Sequence, residues 1–219
     1  MFAMKFDAII FDLDGTLWDS REGIAASWNE TVAAAAGGGA HFTLEDISSI
    51  MGLTERAIAE RLFAAFGEAG YELCRRCMHE EVDYLRAHGA RVYDGVETML
   101  AELSARTPLF LVSNCQADYA EVFFELTGFA PYFKDCLTEG HTGLKKAENI
   151  RLLATLNGLE NAVYVGDTAL DEHSARQAGC AFIHAEYGFG AATAPDGCIA
   201  APGELAALID KLEQMEGHA

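Results

Sequence analysis

Four short runs of β-branched, aliphatic and aromatic residues punctuate the chain: Ala8–Phe11, Leu109–Val112, Ala162–Val165 and Ala181–Ile183. Each is continuously apolar rather than alternating, which is how a strand reads when both of its faces are buried. Helix-like segments separate the last three, as a parallel sheet with crossover helices requires. The interval between the first run and the second is too long for a single crossover and carries helical signals only. Within it, Thr43-Leu44-Glu45-Asp46 resembles a capping box, Thr54 can cap the run from Glu55 to Phe66, and Tyr71 to His88 reads as a longer amphipathic helix. Gly52, Gly67, Gly70 and Gly89 mark the breaks, and the tract Ala33–Gly39 reads as a helix running out into a glycine stop.

The expectation is therefore an α/β fold, a Rossmann-like parallel-sheet core formed by residues 1–18 and 89–219, with residues 19–88 inserted after the first strand as an all-helical cap. An insertion there overlies the C-terminal edge of the sheet, where open α/β folds bind their ligands. Its hinges are expected near Trp18–Asp19 and His88–Arg91.

Composition narrows the partners. A formal net charge of −19 repels nucleic acid and anionic membrane surfaces alike. No stretch reaches the ~20 apolar residues of a membrane span, and Met1 to Asp7 lacks the layout of a signal peptide. The expected setting is the cytoplasm, with no nucleic-acid or membrane partner. The six cysteines are scattered, without the spacing of a disulfide framework. Cys74-Arg75-Arg76-Cys77 is formally a CxxC, but it falls in a helical stretch without a second ligand pair and reads as two ordinary helix cysteines. An acidic protein that handles an anion must concentrate positive charge locally, from a metal ion, a lysine or backbone N–H groups.

Candidate chemistry gathers at the strand ends. The first strand runs into Asp12-Leu13-Asp14-Gly15-Thr16-Leu17, and residues two apart on a strand face one side, so Asp12 and Asp14 converge before Gly15 turns the chain. Such a pair is relieved by a cation, by a shared proton, or by splitting into a nucleophile and an acid/base. A second acidic pair, Asp167 and Asp171, follows the third strand in Gly166-Asp167-Thr168-Ala169-Leu170-Asp171. Up to four carboxylates thus share one edge of the sheet, a hard-oxygen set suited to Mg2+. The second strand delivers Ser113 and Asn114 to the same edge ahead of a helix, where hydroxyl and N–H groups can receive an anion. The required positive charge is found in Gly143-Leu144-Lys145-Lys146-Ala147-Glu148-Asn149-Ile150.

These pieces, in this order and over essentially the whole chain, resemble the haloacid dehalogenase superfamily of aspartate-nucleophile phosphatases, in particular members with a helical cap after the first strand. The resemblance implies that Asp12 is the nucleophile and Asp14 the general acid/base. It further implies that Ser113 is the phosphate-binding hydroxyl with Asn114 beside it, and that Asp167 is a metal ligand with Asp171 supporting it. Asp12, Asp14, Asp167 and Asp171 then make up the expected metal set, and a small phosphorylated metabolite is the expected substrate. Phosphoglycolate phosphatase is the best-known activity of similar proteins, and short sugar phosphates or nucleotides fit equally well. Many relatives read Lys-Pro-x-Pro where this chain has Lys145-Lys146-Ala147-Glu148. Counting back from the apolar run of the helix favours Lys145 at the phosphate; relatives of the form Gly-Leu-x-Lys-x-Glu-Asn-Ile favour Lys146, the reading preferred here. Trp18 and Arg56 are candidate substrate contacts from the cap side. The rival readings are a dehalogenase, disfavoured by Asp14, a phosphomutase, and a non-catalytic binding module.

Overall fold

The computed structural model describes residues 6–36 and 41–216. Strand β1 (Ala8–Phe11) leads through a tight turn to a two-residue strand β2 (Trp18–Asp19). Four helices follow, α1 (Arg21–Ala36), α2 (Leu44–Ser48), α3 (Glu55–Leu62) and α4 (Gly70–His88), before β3 (Arg91–Val92) returns the chain to the sheet. The remainder alternates: α5 (Val96–Ser104), β4 (Leu109–Ser113), α6 (Ala117–Thr127), β5 (Phe133–Thr138), α7 (Glu139–Thr142), α8 (Lys146–Asn157), β6 (Ala162–Gly166), α9 (Ala169–Ala178), β7 (Ala181–Ala185), β8 (Gly197–Ile199) and α10 (Leu205–Glu216).

Six strands form one parallel sheet in the order β5-β4-β1-β6-β7-β8. The two-residue period of the strands divides the core into two layers. Ile9, Phe11, Leu111, Val163 and Val165 face α5, α6, α10 and the inserted helices. Ala8, Ile10, Phe110, Val112 and Tyr164 face α8 and α9 through Ile150, Leu153 and Ala175. Strands β1, β4 and β6 are buried along their whole length, which is why their sequences carry no polar alternation. From β1 the sheet grows towards β4 on one side and β6 on the other, so the C-terminal end of β1 is a topological switch point, where such sheets leave a crevice.

The inserted helices hold together around α1 packed along α4. Trp28, Phe42 and Phe63 stack between them, with ring centroids 5.2–5.5 Å apart. The capping box at Thr43 forms as read: the Asp46 N–H donates to Thr43 Oγ1 at 3.2 Å and the Thr43 N–H to Asp46 Oδ2 at 2.8 Å. Helix α3 stops at Leu62, short of the expected Phe66, and gives way to a 3-10 segment, Ala64–Ala69, in which Gly67 adopts a φ of 61°. Helix α1 extends to Ala36; the glycine stop Gly37–Gly39, like Met1–Lys5, lies outside the described residues. Cys74 and Cys77 are free and fully buried, and burial pushes both thiols up to about 12, the state of packing residues rather than of reactive thiolates. No helix is long and apolar enough to cross a membrane among the described residues.

Strands β2 and β3 pair with each other in an antiparallel ribbon, Trp18 opposite Val92 and Asp19 opposite Arg91. Departure from the core and return to it therefore lie side by side.

Candidate active site

Asp12 follows β1 directly, and its N–H is held by the Val165 carbonyl of β6 at 2.9 Å. The turn beyond it needs Gly15 twice over: φ is +78°, and a Cβ there would lie 2.2 Å from Asp167 Oδ2. Only glycine lets the two loops close on each other. Asp167 sits at the matching position after β6. Asp171 enters from the first turn of α9, where it forms a capping box with Thr168.

The carboxylates of Asp12, Asp167 and Asp171 gather with oxygens within 4.8 Å of one another, all three buried. Lys146, the first residue of α8, lies among them with only 1% of its side chain exposed. Its Nζ is 2.9 Å from Asp12 Oδ1 and donates to Asp171 Oδ1 at 2.5 Å. The neighbouring lysine is excluded by helix geometry: Lys145 is the N-cap of α8 and is exposed on the surface, so its inclusion among the phosphate-binding residues is corrected. One residue of helical rotation separates the two, and it turns one lysine inward and the other out.

Asp14 also departs from expectation. Its carboxylate stands outside the three-carboxylate cluster because Oδ1 is drawn aside by three donors: Trp18 Nε1 at 2.9 Å, Ser20 Oγ at 2.7 Å and Tyr119 OH at 2.7 Å. Of the four carboxylates expected to share this edge, three gather and that of Asp14 does not. Trp18 is buried, and its indole N–H serves Asp14. Arg56 lies on the surface, paired with Glu60 at 2.9 Å, and lines a recess together with Met78, Asn114 and Gln116.

The electrostatics follow from crowding. Burial first, and then the Asp171 carboxylate, push Asp12 up to about 7. Burial, Asp171 and Asp12 push Asp167 up to about 8. Burial opposes the charge of Lys146, but Asp12 and Asp171 outweigh it and hold the ammonium well above its ordinary range. Burial likewise raises Asp14, against the hydrogen bonds that lower it.

The donor set fits a hard divalent cation. Three buried carboxylates face one ammonium, and Asp12 Oδ1 has Lys146 at ion-pair distance but no hydrogen bond. Asp167 Oδ2 accepts the Phe189 N–H at 2.6 Å, and Oδ1 accepts no hydrogen bond among the described residues. Both oxygens of Asp171 are engaged, Oδ1 by Lys146 and Oδ2 by the N–H and hydroxyl of Thr168 at 3.0 and 2.6 Å.

Ser113 and Asn114 are buried at the end of β4. Asn114 Nδ2 donates to the Gly52 carbonyl of the helical insertion at 2.8 Å, while Oδ1 is buried without a partner. Beyond them a cavity of ≈ 60 Å³ opens between the sheet edge and the insertion, lined by Asp14, Ser113, Trp28, Met78, Glu81 and Gln116 among others. Glu81, Gln116, Tyr119 and Phe189 were not among the candidate residues. Glu81 had a signal: on α4 it falls in phase with Cys74, Cys77, Met78 and Leu85, an acid in the apolar stripe.

The model of the family described as haloacid dehalogenase-like hydrolase matches residues 9–185. A phosphoglycolate phosphatase of Cereibacter sphaeroides (strain ATCC 17029) is 33% identical over 183 residues, 80% of this chain and 82% of that protein. A 5'-nucleotidase of Pseudomonas aeruginosa is 29% identical over 199 residues, 86% of each. Among solved structures, a predicted phosphoglycolate phosphatase from Haemophilus somnus 129pt superposes with a TM-score of 0.82 at 21% identity, covering 94% of this chain and 98% of the other; at that identity the likeness speaks for the fold.

Proposed function

The chain belongs to the haloacid dehalogenase-like hydrolases, and from that premise we propose that this phosphatase hydrolyses a small phosphomonoester by passing the phosphoryl group through Asp12. The observation that carries the reading is the placement of Asp12 at the switch point, buried beside Lys146 and the Asp167–Asp171 pair. An oxygen nucleophile, an ammonium and a set of hard ligands are the parts that phosphoryl transfer needs, because its barrier is lowered mainly by positioning and charge neutralisation.

Asp12 and Asp167 would hold magnesium, with Asp171 behind them orienting Lys146. When bound, the ion supplies charge neutralisation to the phosphate oxygens. Asp12 attacks phosphorus in line with the ester oxygen, the P–O bond to the leaving group breaks, and Asp14 donates its proton to that oxygen. Lys146 and the Ser113 hydroxyl steady the charge on the transferred group. Water then attacks the aspartyl-phosphate and gives its proton to Asp14, which releases inorganic phosphate and restores both carboxyl groups. Burial fits Asp14 to this work by raising its proton affinity, while Trp18, Ser20 and Tyr119 hold Oδ1 and leave Oδ2 to face the substrate. Residues 19–88 act as the cap, excluding bulk water and meeting the leaving group.

Hydrolysis of p-nitrophenyl phosphate tests the reading. Turnover is expected with magnesium and is lost after exhaustive chelation; full activity without the ion would overthrow it.

A further inference from the structure

We propose that the cavity between cap and sheet admits leaving groups that end in a hydrogen-bond donor and rejects those that end in a carboxylate, and that Glu81 sets this preference. The inference rests on the phosphatase reading, since it takes Asp14, which lines the cavity, as the group beside the leaving oxygen. Asp14 at one wall and the phosphate-facing Ser113 next to it leave the cavity as the space into which the rest of the substrate extends. Its ≈ 60 Å³ is room for a few waters, by the measure in which one water needs ~10–15 Å³. The leaving group is therefore short.

The side-chain N–H donors around this space are already committed. Trp28 Nε1 donates to Glu81 Oε2 at 2.5 Å. Gln116 Nε2 spends its two protons on the Met78 carbonyl at 2.5 Å and on Glu81 Oε1 at 3.2 Å. The Tyr119 hydroxyl is held by Asp14 and Ser20, and Asn114 Nδ2 by Gly52. With the Ser113 hydroxyl turned to the phosphate, acceptors are what remain: Asn114 Oδ1 is buried without a partner, and the Glu81 carboxyl retains lone pairs beyond its two bonds. Among the described residues lining the cavity there is no lysine, arginine or histidine, whereas Asp14 and Glu81 are both acids.

A carboxylate placed here would be desolvated with no cation in the cavity wall. Burial first raises Glu81 well above its ordinary range despite the Trp28 bond, and the same desolvation acts on any anion placed beside it. A hydroxyl or ammonium end would instead satisfy Glu81 and Asn114. A short alcohol or amino alcohol fits this chemistry, and a hydroxy acid does not.

Three two-carbon esters differing only at the free end decide the matter with the magnesium-loaded full chain: 2-hydroxyethyl phosphate, O-phosphoethanolamine and 2-phosphoglycolate. The expected kcat/KM for 2-phosphoglycolate is at least tenfold below that of the better of the other two. Glu81→Gln narrows this ratio by threefold or more, and Met78→Lys, which places a cation in the wall, moves it further towards 2-phosphoglycolate. Ratios between substrates within one variant are unaffected by the fraction folded, and the wild-type ratio stands if either variant fails to fold. Equal or better turnover of 2-phosphoglycolate by the wild type overturns the proposal, and an unchanged ratio in Glu81→Gln removes Glu81 from it. Loss of turnover on p-nitrophenyl phosphate as well marks failure of the phosphatase reading itself.

Discussion

Chelating the divalent cation should make the folded protein less stable as pH rises, the reverse of the usual behaviour of buried salt-bridged carboxylates. The perturbation is metal removal followed by a pH change from 5.5 to 7. In the unfolded chain an aspartate titrates near ~3.9, so throughout this window it has lost its proton. In the folded chain Asp12 keeps its proton up to about 7 and Asp167 up to about 8. The native state thus binds more protons than the unfolded state, and stability falls with pH at about 1.4 kcal/mol per pH unit for each proton retained. Over one and a half units a single retained proton gives a loss of about 2 kcal/mol, and both give about 4 kcal/mol. Lys146 adds nothing to the slope, because it stays charged in both states across the window. Urea unfolding in chelator, followed through the buried Trp18 and Trp28, measures the change. Saturating magnesium should remove most of it by supplying the charge that the protons otherwise provide. Asp167→Asn should flatten the slope in chelator, which separates it from the contribution of Glu81, raised in the same direction. A chelated protein whose stability is flat or increases between pH 5.5 and 7 would refute the reasoning.

Asp12→Asn should abolish both turnover and acid-stable labelling by a phosphoryl donor, whereas Asp14→Asn should slow alkyl phosphates more than aryl ones, whose leaving groups need no proton; steady-state kinetics on matched esters reads both. Lys146→Met should lower kcat/KM by about 10²-fold or more, as loss of a charge-stabilising donor does, while Lys145→Ala stays within about twofold, as exposed surface substitutions do. Tyr119→Phe removes one of the three donors that stabilise the Asp14 carboxylate, so its pKa rises and the alkaline limb of the alkyl-phosphate pH profile should move up; an unmoved limb would mean that another group provides the proton.

The central strands could be read from the chain because burial on both faces leaves nothing but apolar residues, as in Ala8–Phe11 and Ala162–Val165. Strands β5 and β8 escaped for the opposite reason. They occupy the sheet edges, and Phe133-Lys134-Asp135-Cys136-Leu137-Thr138 is half-buried, with polar residues breaking the run. The site was legible wherever its residues come in short strings, as Asp12 and Asp14 or Asp167 and Asp171 do. The displacement of the Asp14 carboxylate was not, because Tyr119 reaches it from α6, remote in sequence and adjacent only after folding. Glu81 and Gln116 meet for the same reason, across the junction of cap and core. The two lysines could be told apart only by the start of α8, and helix boundaries are the least certain element of any sequence reading.

The β2–β3 ribbon has an evolutionary consequence. For a long insertion the entropy of bringing its ends together grows only slowly with length, and here the ends are already fastened by the Trp18–Val92 and Asp19–Arg91 pairs. Whatever lies between them can lengthen, shorten or be exchanged without altering the register of β1 or the aim of Asp12. Descent can therefore redraw the substrate side of this protein module by module while the phosphoryl chemistry is inherited unchanged. Trp18 is the exception that marks the border: it belongs to the ribbon yet donates to Asp14, so an exchanged module that twisted the ribbon would be felt first at that carboxylate.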